Sequence, residues 1–193
     1  MNIKRISIEE GYLIVTNDNN SLTKYKALGP LVKEATPVSP VKAALTTALA
    51  GANNDLVFTA VTEGANGNLI TIEYVDSGVA LQPLVVTVVG NAIVVTLELD
   101  DSATPAIVST AADILAAIEA SVAALALVTV ADSGEDTGAG VVIEMEATAL
   151  TGGVSGEVAE AGALRFDNTF LYVNVGASTE STSNWKKITL ESL

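Results

Sequence analysis

The sequence predicts a mainly β fold with one helix (α+β), arranged as a β-sandwich-like body with an N-terminal arm and a small C-terminal β-unit. Hydrophobic residues make up 49% of the 193 residues but aromatic residues only 4%, so Val, Ile, Leu and Ala must fill the core. β-Branched side chains pack well on a pleated surface and favour strands. Several short runs alternate between apolar and polar residues, and one stretch has helical spacing.

Residues 1–40 are predicted to form an arm. Two short strands are expected around Gly11, and the polar stretch Asn17–Ser21 indicates a turn. The segment Pro37–Pro40 contains two prolines. Each proline fixes φ and restricts the residue before it, so this segment favours an extended linker and marks the boundary of the arm.

The body is predicted to span residues 41–153. Leu84–Val89 and Ala92–Leu99 flank Gly90-Asn91, a two-residue hairpin signal because both residues tolerate positive φ. Val41–Ala50 fits either a short helix or a strand. Further strands are expected from alternating apolar residues, at Leu56–Thr62, Leu69–Val75, Leu127–Ala131 and Gly140–Ala149.

The one helix of the body is predicted at about 109–125. Ser109 is the expected cap. Apolar residues recur at helical spacing and form one stripe: Ala111, Ile114, Leu115, Ile118, Val122 and Leu125.

Residues 154–193 are predicted to form a third piece of three short strands, at Ala163–Asp167, Phe170–Val175 and Trp185–Leu190. This piece holds the only Trp and two of the three Phe residues. Because three strands alone are marginally stable, the piece is expected to pack on the body or on a neighbouring subunit.

Charge divides the chain unevenly. The net charge is −14, yet residues 43–164 contain no Lys or Arg and hold 16 of the 23 acidic residues. Residues 1–42 carry six basic and four acidic residues, and residues 165–193 carry three of each. A body this acidic repels phosphate backbones, so nucleic acid is not an expected partner.

The absence of Cys and His excludes whole classes of chemistry. Ser–His–Asp and Cys–His catalysis and the usual zinc sites all require these residues. No run of about 18 uncharged apolar residues is present, and the N-terminus lacks an apolar signal core, so no membrane association is expected. We therefore predict a protein that is not an enzyme and has no cofactor.

Clustered carboxylates are the strongest candidates for a site. Asp132, Glu135 and Asp136 share one loop, and Asp100-Asp101 follow a predicted strand. Such oxygens could bind Ca²⁺, but the spacing fits no EF-hand loop, so a solvated acidic loop is the default interpretation and no metal site is predicted. Two further carboxylates, Glu144 and Glu146, alternate on what is expected to be an exposed strand face.

Sugar and nucleotide sites have less support. A glycosidase needs paired carboxyls in a cleft, usually with aromatic platforms, and the body offers only Phe58 and Tyr74. The glycines form no phosphate-binding pattern; they are Gly64, Gly67, Gly152, Gly153 and Gly156. Tyr172 and Trp185 could stack on a sugar, but a core role in the C-terminal piece is favoured. No catalytic or cofactor-binding residue is predicted.

Several runs resemble structural modules of tailed bacteriophages. The body runs LVFTAVTEGANGNLITIEYV, LVVTVVGNAIVVTLELD and STAADILAAIEAS, ending in LTGG, resemble a module that recurs in tail, fibre and head-associated proteins. The C-terminal GALRFDNTFLYVNVG and NWKKITL resemble the small β-unit that ends many phage fibre-like proteins. Together they cover roughly residues 50–190, and residues 1–40 lie outside the resemblance.

The resemblance implies a virion structural protein assembled in the host cytoplasm. A capsid-associated decoration or head-fibre protein, docked through its N-terminal arm, is the first expectation. A tail component, in the tube or a fibre, is the alternative, and a carbohydrate-binding adhesin is the second alternative. The expected partners are a major capsid or tail protein and further copies of the chain.

Overall fold

The structure, a computed structural model, describes residues 3–9, 12–17, 22–26, 32–33, 37–134, 136–166 and 170–189. Its elements follow one another in this order: β1 (Ile3–Glu9), β2 (Tyr12–Asn17), β3 (Leu22–Lys26), β4 (Val32–Lys33), β5 (Ala44–Thr46), β6 (Leu56–Ala60), a 3₁₀ turn (Ala65–Leu69), β7 (Thr71–Val75), β8 (Val85–Val89), β9 (Ala92–Thr96), α1 (Ala111–Ala120), α2 (Val122–Leu125), β10 (Val128–Asp132), β11 (Met145–Ala149), β12 (Leu164–Phe166), β13 (Phe170–Asn174) and β14 (Trp185–Thr189). The predicted class, mainly β with one substantial helix, is confirmed.

The chain divides into two compact units, residues 40–155 and residues 1–39 with 156–193. The two ends of the chain, treated as separate pieces in the sequence analysis, therefore belong to one unit. Strand β4 joins them, because it lies parallel to β12 and pairs Val32 with Arg165.

The unit 40–155 contains two sheets, with strand orders β10-β6-β5 and β11-β7-β9-β8. All neighbours are antiparallel except β7 and β9, which run parallel. On one side, backbone bridges join Val41 to Val154 and Ala44 to Thr151, and so connect the two sheets. On the other side α1 contacts both β10 and β8. Side chains of both sheets and of the helix therefore form one hydrophobic core.

The core is aliphatic with two aromatic rings. Burial alternates along β6, β7 and β9, as expected for strands with one face on the core. The largest fully buried side chains of this core come from both sheets and from α1: Leu56, Phe58, Ile72, Tyr74, Ile93, Val95, Leu97, Ile114, Ile118, Val128 and Leu150.

The hairpin predicted at Gly90-Asn91 is confirmed. Val89 lies opposite Ala92 at the close of the β8–β9 ladder. Gly90 has φ +60°, whereas Asn91 is not among the residues with positive φ. A positive φ at the first central residue alone is the pattern of a type II′ turn, which requires Gly at that position.

The helix begins one residue later than predicted. Thr110, not Ser109, is the N-cap: its Oγ1 accepts the Asp113 amide at 3.2 Å, and the Asp113 carboxylate accepts the Thr110 amide at 2.9 Å. Hydrogen bonds from the Thr110 hydroxyl and then its amide lower the pKa of Asp113. Ser109 is buried, and its Oγ accepts the Glu98 amide at 2.7 Å.

The predicted helix over 109–125 is interrupted at Ser121, and the predicted apolar stripe is wrong at Val122 and Leu125. Ser121 has extended backbone, ends α1 and caps α2 by accepting the Ala124 amide at 3.3 Å. This interruption changes the direction of the following side chains. Val122 is 84% exposed and Leu125 is also exposed, while Ala124 is buried in their place.

The described residues of the unit that contains the chain ends form two sheets. Strands β1-β2-β3 form an antiparallel sheet, and the other sheet has the order β14-β13-β12-β4. The three predicted C-terminal strands agree with β12, β13 and β14 to within two residues. Strand β3 was not predicted. In the predicted turn at Asn17–Ser21, Asn17 lies in β2 and residues 18–21 are outside the described residues.

Three further predictions of elements were inexact. The ambiguous Val41–Ala50 contains strand β5. The strand predicted at Leu69–Val75 begins at Thr71, because Leu69 lies in the 3₁₀ turn. Strand β11 begins at Met145 rather than Gly140, because residues 140–142 bond instead to Asn53, Ser109 and the start of α1.

Candidate functional site

The acidic loop Asp132–Gly138 is bonded to the start of β6. The Asp136 carboxylate accepts the Asp55 amide at 3.2 Å, and the Ser133 amide donates to the Asp55 carbonyl at 3.1 Å. Glu135 lies outside the described residues. The loop carboxylate therefore serves as an acceptor for backbone N–H groups, which orders this end of the sheet.

Asp55 also has a structural role that its sequence context did not signal. Its Oδ1 accepts the Leu49 amide at 2.8 Å and the Thr47 hydroxyl at 3.2 Å. The buried Thr47 hydroxyl in turn accepts the Leu56 amide at 2.8 Å. Among the described residues, no group of three or more Asp or Glu side chains could hold a metal ion.

Asp100 closes a turn of its own. Its Oδ1 accepts the Ala106 amide at 3.0 Å, and the Ser102 hydroxyl and amide at 2.7 and 3.1 Å. These bonds, the Ala106 amide first, lower the pKa of Asp100. Asp101 is exposed. Glu144 and Glu146 are also exposed, and Glu144 lies just before β11.

Two of the glycines considered for nucleotide binding, Gly67 and Gly153, serve close packing. A Cβ on Gly67 would lie 2.9 Å from the Ala43 Cβ, and one on Gly153 would lie 2.6 Å from the Gly64 carbonyl oxygen. Gly156 donates its amide to the Glu180 carbonyl at 2.8 Å. Gly is therefore needed where segments of the chain itself pack closely together. This packing accounts for these glycines without a bound ligand.

The two aromatic residues of the body are both core residues. Phe58 and Tyr74 are almost fully buried, so neither offers a platform for a sugar. The Tyr74 hydroxyl is buried and has no hydrogen-bond partner among the described residues. Burial, and then the negative charge of Asp55, raise the pKa of this hydroxyl well above its ordinary value.

Tyr74→Phe is therefore expected to stabilise the protein by about 1 kcal/mol at pH 8, because it removes a buried hydroxyl without a partner. The unfolded tyrosine ionises near pH 10, whereas the folded one ionises only at higher pH. The contribution of the neutral Tyr74 hydroxyl to the free energy of unfolding should consequently be fully present below about pH 10 and be lost as the pH rises further. The free energy of unfolding of the variant should fall less over the same range. Urea unfolding at pH 8 and pH 11 measures both effects. A loss of stability in the variant at pH 8 would show that the hydroxyl makes a bond.

Three aromatic side chains of β13 and β14 are buried or half-buried. Tyr172 is only 9% exposed and meets Phe170 edge-to-face, with ring centroids 6.1 Å apart. Lys187 Nζ lies 4.7 Å from the centroid of the Phe170 ring. Trp185 is half-buried, and its Nε1 is buried without a partner among the described residues. Tyr172 is thus not available for stacking on a ligand.

Polar side chains fix the connections of the same unit. Arg165 pairs with Glu157 at 2.6 Å. The buried Asn174 amide donates to the Ala159 carbonyl at 2.9 Å and to the Ser178 hydroxyl at 3.0 Å. Sequence reasoning missed Asn174, because an Asn at a strand end has no pattern that reveals a buried bonding role.

The surfaces of the two units differ strongly in charge. Residues 40–155 carry one Lys against fourteen carboxylates, a net charge of −13, whereas residues 1–39 and 156–193 carry eight basic and nine acidic residues. Where the chain is described, it contains no helix long and apolar enough to cross a membrane. The difference in charge between the two units is therefore the feature from which a function can be argued.

Comparisons with known proteins add no identification. No protein-family model, curated protein or solved structure matches the chain. The resemblance to phage structural modules accordingly stays a prediction from the sequence.

Proposed function

We propose that the chain is a structural component of a bacteriophage virion, namely a capsid-associated decoration or head-fibre protein. The separation of charge carries the proposal: the unit 40–155 has a net charge of −13, and eight of the nine basic residues lie in the other unit. A strongly acidic unit stays soluble and repels its copies at high local concentration. The nearly neutral unit with the Lys and Arg residues is then the part that docks on the capsid.

The roles of the carboxylates support a structural function. Asp55, Asp100, Asp113 and Asp136 each accept backbone amides and so order turns and a helix end. Residues engaged in this way stabilise the fold, and we assign the chain no reaction, cofactor or metal. We propose the virion, assembled in the host cytoplasm, as its location and a major capsid protein as its partner.

We propose that the docking element is the whole unit that contains both chain ends, and not the N-terminal arm alone. Because β4 of the arm pairs with β12, deletion of residues 1–40 would also remove a strand from the C-terminal sheet. A single exposed charge is a cleaner probe than that deletion.

The experiment compares two charge reversals in virions purified from producing cells. Lys186→Glu changes an exposed residue of the docking unit, and Lys42→Glu makes the same change in net charge on the exposed surface of the acidic unit. We expect the wild-type chain in the virion proteome, lower occupancy of Lys186→Glu and unchanged occupancy of Lys42→Glu. Absence of the wild-type chain from purified virions would refute the proposal. Equal loss for both variants would refute docking through this unit.

Microscopy of the same particles separates the alternatives. Antibody labelling on the head supports a capsid-associated protein, whereas labelling on the tail, or rings and tubes of the purified chain, would favour the tail component. The adhesin alternative depends on Tyr172 and Trp185, and the burial of Tyr172 argues against it. Glycan-array binding that is lost in Trp185→Ala would be required to restore it.

A further inference from the structure

Strand β8 is an edge strand of a kind that proteins usually protect. It lies at the end of the order β11-β7-β9-β8 and consists of Val-Val-Thr-Val-Val, with no charged residue. The edge strand β14 of the other unit differs, because it exposes Lys186 and Lys187. Lysines on an edge strand prevent unwanted pairing, so β14 has a protection that β8 lacks.

The register shows which backbone groups of β8 are free. Val89 and Ala92 close a two-residue hairpin, so residues 85, 87 and 89 exchange hydrogen bonds with β9. The N–H and C=O groups of Val86 and Val88 must then point away from β9. Neither residue has another backbone partner among the described residues. The edge therefore presents two donors and two acceptors.

The side chains of β8 lie on the two faces of the sheet, and α1 and α2 both contact this strand. Val86 and Val88 pack against the core, the same core to which the buried face of α1 belongs. Val85, Thr87 and Val89 lie on the opposite face and are exposed, Val89 by 70%. An exposed apolar face thus adjoins a row of unpaired backbone groups.

We infer that two copies of this chain pair through β8, antiparallel, about a two-fold axis at Thr87. In that register Val86 of each copy lies opposite Val88 of the other copy. Each of these two residue pairs makes two backbone hydrogen bonds, four in total. Val85 of each copy then contacts Val89 of the other on the exposed face, on either side of the Thr87 pair. The four-stranded sheets become one sheet of eight strands.

Charge and symmetry favour a second copy as the occupant. With a net charge of −13, two copies of the unit 40–155 repel one another over most approaches, but β8 offers a contact without carboxylates. The pattern of donors and acceptors at 86 and 88 is complementary to itself, so no other sequence is needed to satisfy it. The inference concerns this unit alone and does not depend on a role in virions.

Hydrogen exchange of the full-length chain tests the pairing directly. Amides 87 and 89 are bonded within one copy and should be protected at every concentration, whereas amides 86 and 88 should become protected only as the chain dimerises. Sedimentation velocity should show, over the same concentrations, a shift from 19.7 kDa to twice that mass. A mass of 19.7 kDa throughout, with 86 and 88 exchanging freely, would overturn the inference.

A pair of substitutions locates the interface. Thr87→Lys places two like charges opposite each other on the axis and should raise the dissociation constant of the dimer roughly tenfold or more. Thr129→Lys is the matched control, because Thr129 is exposed on the edge strand β10, and it should leave the dimer unchanged. Far-ultraviolet circular dichroism checks that both variants fold. A dimer that is equally stable in folded Thr87→Lys would place the interface elsewhere and refute pairing through β8.

Discussion

Ile118→Ala is expected to lower the free energy of unfolding by about 2–5 kcal/mol. Ile118 is fully buried in α1, in the core that α1 shares with both sheets of the unit 40–155. Truncation would remove apolar contacts and leave a cavity that close-packed strands cannot collapse to fill. Chemical denaturation followed by circular dichroism measures the loss.

Val122→Ala is the matched control for this prediction. Val122 lies four residues after Ile118 and would share its buried stripe if the helix were continuous. Because Ser121 interrupts the helix, Val122 is 84% exposed and its truncation should change stability by about 0.5 kcal/mol or less. A comparable loss in both variants would show that α1 continues through Ser121.

Gly140→Ala is expected to destabilise the protein by about 3 kcal/mol, the upper end of the usual cost of overpacking. A Cβ at this position would overlap the carbonyl oxygen of Ala52 and lie 2.9 Å from that of Asn53. These neighbours are backbone atoms, and the Gly140 amide itself donates to the Asn53 carbonyl at 2.8 Å, so the two segments cannot simply separate. Overpacking against backbone forces a shift of the chain.

Thermal unfolding of Gly140→Ala and Gly176→Ala compares this site with an open glycine. The nearest atom to a Cβ on Gly176 is 3.5 Å away, an ordinary contact, so that variant should stay within about 0.5 kcal/mol of wild type. An unchanged transition in Gly140→Ala would mean that segments 52–54 and 140 do not approach as closely as described.

The parts of the fold that were predicted correctly depend on local pattern. The hairpin at Gly90-Asn91 and the three C-terminal strands each show alternating residues and a turn signal within about fifteen residues. The buried half of the helix stripe, through Ile118, was equally visible, because helical spacing alone places those residues on one face.

The parts that were missed depend on contacts distant in the sequence. The parallel pairing of β7 with β9, and of β4 with β12, has no local signal, because both partners look like ordinary strands. The end of the helix at Ser121 depended on a capping side chain in a run of good helix formers. Loop carboxylates were weighed as cation ligands, yet the described bonds of Asp100 and Asp136 are made to the chain itself.

The bridge between Val41 and Val154 has a consequence for how this protein can vary. The chain enters and leaves the unit 40–155 at neighbouring points, with reciprocal backbone bonds of 2.9 and 3.1 Å between these two residues. The unit is thus an insertion, carried as a cassette between the two halves of the other unit. Domains whose ends lie close together tolerate insertion into another domain. Recombination can therefore replace the acidic cassette while the surrounding strands keep their pairing.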